Sequence, residues 1–215
     1  MKKILVPVLL LIFAFNANAD DDKFVKAMEK NIAMIDTASS LSSFQNIANS
    51  FERIANAEKD KWLPYYYSAY LLTISSFVDT VIERKDTYLD KAEELVVIAD
   101  SLEPDNSEIC TLRGLIAQAR LVVDPQNRWS KYGSLSTNYL SKAKELDPTN
   151  PRPDFLNGQS VLNTPEQFGG GVEKALPILK ESEEKFKNFE PESSIHPNWG
   201  EKMLQQVLQS IEASN

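Results

Sequence analysis

The chain has 215 residues, 25% of them charged, with one cysteine, one histidine and a net charge of −8. An acidic chain without a clustered lysine–arginine stripe lacks the electrostatic footprint of a nucleic-acid binder, and the lone Cys110 cannot close an internal disulfide. With His196 the single histidine, neither a histidine-based triad nor a zinc set of the usual kind can be assembled, so no catalysis and no cofactor are expected.

The elements begin with a leader. "MKK" is a basic start, Ile4 to Phe15 is apolar apart from Pro7, and Ala17-Asn18-Ala19 offers the small residues a signal peptidase reads. Cleavage after Ala19 would leave a chain starting at Asp20, periplasmic or secreted. The apolar run is shorter than the ~20 residues of a membrane span, so no stable membrane insertion is expected after cleavage. Residues 20–215 then read as one domain of helices, predicted at 22–38, 43–58, 64–83, 87–102, 106–122, 134–146, 152–162, 171–188 and 198–213. The second carries Phe44, Ala48, Phe51 and Ala55 on one face. The third opens with Trp62, Tyr65, Tyr66, Tyr67 and Tyr70 crowded together. The last has Met203, Leu204, Val207, Leu208 and Ile211 on one side and a polar opposite face.

Two markers repeat. Ala99 and Pro104 recur as Ala143 and Pro148, and Gly114 recurs as Gly158, each 44 residues on. Ala92, Ala99 and Pro104 in one unit, Ser136, Ala143 and Pro148 in the next, and Gly158, Ala175 and Ser182 in a third resemble the tetratricopeptide repeat. That resemblance implies an all-α, right-handed solenoid of antiparallel helix pairs, closed by a C-terminal capping helix. The family step is about 34 residues, so each unit here is elongated by roughly ten. The extra residues are expected as a loop at 124–134 in one unit and as a helix extension through Val81 and Ile82 in the other.

The run "NTPEQFGGGVEKAL" (163–176) invites a phosphate-binding reading. It has no preceding strand, and Val172-Glu173 stands where a P-loop needs Lys and Ser/Thr. A corner between two helices is the simpler expectation, with Phe168 tucked inward and the glycines accepting positive φ. Pro177 should bend the helix that follows.

In tetratricopeptide proteins the first helices of each unit line a concave face where extended peptides bind. The resemblance therefore implies a non-catalytic scaffold for a protein or peptide of the cell envelope. Tyr66, Tyr70, Arg113, Gln118 and Gln159 are expected on that face, Arg128, Trp129 and Tyr132 on a rim, and Phe168 beside it if exposed. Similar helical-repeat proteins accompany periplasmic solute transporters, which leaves a small-molecule carrier as the alternative.

Overall fold

The computed structural model describes residues 6–213, with side chains described from Asp21 onward. The leader expected at 1–19 and its cleavage point lie outside the described side chains. Among the described residues the chain is all-α. Its helices are α1 (Val6–Ile35), α2 (Leu41–Ala57), α3 (Trp62–Val78), α4 (Ile82–Leu102), α5 (Ser107–Val123), α6 (Pro125–Leu146), α7 (Arg152–Asn163), α8 (Val172–Lys187) and α9 (Glu201–Ala213). Connections of a few residues return the chain on itself, so each helix packs on its neighbour, as α2 does on α3 and α7 on α8. Alternate helices also meet: α3 touches α5, and α5 touches α7.

Local chemistry sets the ends. Ser40 caps α2 reciprocally with Ser43, and the Asn106 side chain accepts from the backbone N–H groups of Glu108 and Ile109 to start α5. Apolar stripes then face inward: Ile47, Ala48, Phe51 and Ala55 on α2, and Leu89, Ala92, Leu95, Val96 and Ala99 on α4. The paired glycines allow close helix crossing. A Cβ at Gly114 would stand 2.7 Å from Leu140 Cδ2, and one at Gly158 would stand 2.5 Å from Leu179 Cδ2.

Two predicted boundaries are corrected. The helix expected over 64–83 stops at Val78, because Asp79 is a better corner than a helical residue. Its carboxylate accepts from Val81 N, from Arg84 Nε and Nη2 and from the Tyr88 hydroxyl, all within 2.9 Å. These bonds, Arg84 first, hold the Asp79 carboxyl well below its usual range. The loop expected at 124–134 is the first half of α6. Asp124 caps it, Pro125 takes the first helical position, and Arg128 grips Asp86 of α4 at 2.7 and 2.8 Å. The residues expected as elongations therefore lie at the N-terminal ends of two long helices, α4 with 21 residues and α6 with 22.

The glycine corner is built as expected, with one difference. Gly169 and Gly171 have φ of 92° and 95°, and a Cβ at Gly170 would run into the Thr164 carbonyl. The N–H groups of Gly169, Gly170 and Gly171 donate to Glu166 O, Pro165 O and Val161 O, which leaves none for a phosphate. Phe168 does not tuck inward; it is 75% exposed. α8 runs as one helix from Val172 to Lys187 through Pro177.

Candidate ligand-binding groove

α3, α5 and α7 share one side of the molecule, and α9 closes against it. Between them lies a groove of about 470 Å³, within the ~300–1,000 Å³ typical of small-molecule clefts. The repeat register supplies its walls: Ile74 and Gln118 are 44 residues apart, as are Phe77 and Leu121, and all four line it. Tyr70 and Trp199 form part of its surface as a stacked pair, with ring centroids 4.9 Å apart at 23°. Phe77, Val122 and Met203 stand in its walls with 39%, 52% and 39% of their surfaces exposed. Apolar residues exposed together in a concavity mark a recognition surface.

The other lining residues on α7 and its C-terminal end are Leu156, Gln159, Ser160, Asn163 and Thr164. Among the described residues, no lining side chain carries a charge. Burial raises the Tyr70 phenol above its ordinary range, so this hydroxyl is neutral too.

A buried polar network holds Trp199 in place. Its Nε1 donates to the Tyr66 hydroxyl at 2.8 Å, and that hydroxyl donates to Glu108 Oε2 at 3.2 Å. Glu108 Oε1 accepts from Asn150 Nδ2 at 2.7 Å and from Arg152 Nη1 at 2.9 Å. Arg152, fully buried, also donates to Pro197 O at 2.6 Å, and its guanidinium lies 5.4 Å from the Trp199 ring centroid. Burial pushes the Glu108 carboxyl up, against the opposing pull of Arg152 and the hydrogen bonds. The segment leading into α9 is thus tied to α3, α5 and α7.

A second, larger cleft of about 1,020 Å³ runs past Glu108, Asn150, Phe189 and His196. It is lined by eight carboxylates against Lys185 and His196. His196 Nδ1 lies 2.7 Å from Ser193 Oγ, and its Nε2 is 3.2 Å from Glu192.

The predicted binding residues fall into four places. Tyr70, Gln118 and Gln159 meet in the groove. Tyr66 does not reach it; the ring is fully buried and its hydroxyl belongs to the Glu108–Arg152 network. Arg113 and Tyr132 line a separate depression of about 240 Å³ with Val97 and Tyr139, and Arg113 pairs with Asp100 at 2.8 Å. Arg128 is engaged by Asp86, while Trp129 and Phe168 are exposed, at 66% and 75%, and line none of these cavities. Phe77, Val122, Trp199 and Met203 were missed. Carrying the predicted Gln118 back by 44 gives Ile74, which lines the groove near Phe77, whereas Trp199 and Met203 enter from outside the 44-residue register.

Together these features describe an all-α chain with an uncharged, partly apolar groove. Comparison with solved structures finds the HusA haemophore from Porphyromonas gingivalis, with a TM-score of 0.80 and 37% sequence identity over 89% of this chain and 94% of that one. The chain belongs to the family of that haemophore. No family model and no curated protein sequence matches it.

Proposed function

We propose that this chain is a non-catalytic carrier that holds haem, or a closely related porphyrin, in the groove between α3, α5, α7 and α9. The observation that carries the reading is the uncharged groove itself, with Phe77, Val122 and Met203 exposed in its walls, in a relative of a haemophore. A porphyrin is a broad apolar disc with its carboxylates at one edge. Apolar walls and the Tyr70–Trp199 pair suit the disc by burial and stacking. The acidic cleft suits it poorly, because eight carboxylates would repel the ligand's own.

This takes up the carrier alternative in preference to the peptide scaffold. It is consistent with a right-handed, tetratricopeptide-like solenoid over 20–215. In that arrangement α3, α5 and α7 are first helices on the concave face and α9 is the cap. Removal of residues 1–19 on export would place the carrier outside the cytoplasm, where a ligand is captured from solution.

The test is a haem titration of the chain starting at Asp20, read by the Soret band. Saturable binding with a shifted band is expected. Phe77→Asp and Val122→Asp, both at exposed positions, should each weaken it at least about tenfold by placing a charge against the disc. Trp129→Ala should not. Absence of any spectral change, or wild-type binding by both groove variants, overturns the reading.

A further inference from the structure

Resting on that porphyrin reading, we infer that the groove recognises the ligand's edge oxygens through neutral donors and reads them as hydrogen-bond acceptors, not as charges. Two observations meet here. No described lining residue is Lys, Arg or His, in a chain with 23 lysines and arginines. Three neutral polar groups that line the groove make no side-chain hydrogen bond to another described residue: the Gln159 carboxamide and the Ser160 hydroxyl of α7, and the Tyr70 hydroxyl of α3. The other polar side chains there are otherwise engaged. Gln118 donates to Leu156 O, Asn163 to Gln159 O and Thr164 to Ser160 O.

Gln159 and Ser160 are adjacent on α7, while Phe77 on α3 and Val122 on α5 supply apolar wall. The groove is therefore amphipathic without being charged. A porphyrin has peripheral oxygens only at its carboxyl-bearing edge, so that edge belongs against Gln159 and Ser160 and the apolar edge against Phe77 and Val122. An amide N–H or a hydroxyl donates to a carboxylate and to an ester carbonyl alike. Loss of the ligand's negative charge then costs little, because no cation of the groove is waiting for it. The ligand class widens accordingly, to planar tetrapyrroles bearing acceptor oxygens at one edge, ionised or not.

The experiment compares protoporphyrin IX with its dimethyl ester by absorbance titration, in about 20 mM and about 500 mM NaCl. The chain starting at Asp20 is used as wild type, as the Gln159→Leu/Ser160→Ala double variant and as Lys202→Ala. Gln159 is half-buried and Ser160 exposed, so the double variant keeps the fold, which circular dichroism checks. The two porphyrins should bind within about tenfold of each other and change less than about threefold with salt. The double variant should weaken both by about fivefold or more, and Lys202→Ala, next to Met203, should leave both unchanged. The inference is overturned if the ester binds more than about tenfold weaker or if affinity for the free acid falls steeply with salt. It is also overturned if Lys202→Ala weakens only the free acid, or if the double variant binds both as wild type does. If only the free acid binds, the carrier reading stands and this inference falls; if neither porphyrin binds, the carrier reading itself falls.

Discussion

Arg152 is the side chain on which the position of Trp199 depends, and Arg152→Met isolates its contribution. Methionine keeps much of the apolar stem but removes the guanidinium, which lies 6.0 Å from the Phe186 ring centroid and 4.5 Å from that of Phe189. Glu108, whose side chain is only 14% exposed, then loses its cation, and Pro197 O loses its donor. Breaking one side of a buried pair costs about 3–5 kcal/mol, because a charge is left without its partner. Asn150 and Tyr66 still donate to Glu108, which places this case near the lower end, at about 3 kcal/mol. With a urea slope of about 1–3 kcal/mol per molar, the unfolding midpoint should fall by about 1–3 M. Adding Glu108→Gln removes the stranded charge and should restore part of the loss, about 1–2 kcal/mol. The assay is urea unfolding followed by Trp fluorescence and by far-UV circular dichroism. A midpoint shift below about 0.3 M for Arg152→Met would refute the buried-pair argument. So would a double variant that loses the full sum of the two single changes.

Gly158→Ala should destabilise by about 1–3 kcal/mol in thermal unfolding, because the new methyl group meets Leu179 Cδ2 at 2.5 Å and Cγ at 2.7 Å. Gly133→Ala, where the nearest atom is Leu121 Cδ1 at 3.7 Å, should instead stabilise α6 by up to about 1 kcal/mol. In acid, Asp79 and Asp86 set a common limb. Arg84 holds Asp79 below its usual range, and Arg128, followed by Arg120, lowers Asp86 to about 2. A depressed native value means the stabilisation is present above the unfolded value of about 4 and disappears as pH falls toward 2. Asp86→Asn should therefore flatten the pH dependence of the unfolding midpoint in that window, modestly, since the Asp86 side chain is 35% exposed. His196→Ala should leave haem affinity unchanged, because the imidazole is bonded to Ser193 and Glu192 beside the acidic cleft. A tenfold loss in the Soret titration would move the site out of the groove.

The helical architecture was legible wherever its cause was local or periodic. The apolar face of α2, the small residues at Gly114 and Gly158 and the reversal at Gly169–Gly171 all follow from side-chain size or spacing in the sequence. The boundaries at Val78 and Pro125 were legible in kind but misread. Asp79 and the Asp124-Pro125 pair are corner and helix-start residues by type, and these local signals override the apolar periodicity on either side of them. The groove was half legible for a different reason. Tyr70, Gln118 and Gln159 follow from the register of first helices, but the same register gave no way to tell Tyr66 from Tyr70. That distinction depends on Trp199, 133 residues further on in sequence from Tyr66, which takes the Tyr66 hydroxyl as a hydrogen-bond acceptor and stacks on the Tyr70 ring. One long-range residue thus assigns one tyrosine to the core and leaves the other lining the groove. The anchor of that residue was itself written in the repeat. Glu108 and Arg152 are 44 apart, the same step that separates Gly114 from Gly158, so opposite charges fall on one register. A repeat position that holds an acid in one unit and a base in the next is a candidate for an inter-unit ion pair. Charge on the 44-residue register, as well as small residues, therefore marks the segment locked by Arg152, and with it Trp199 at the groove.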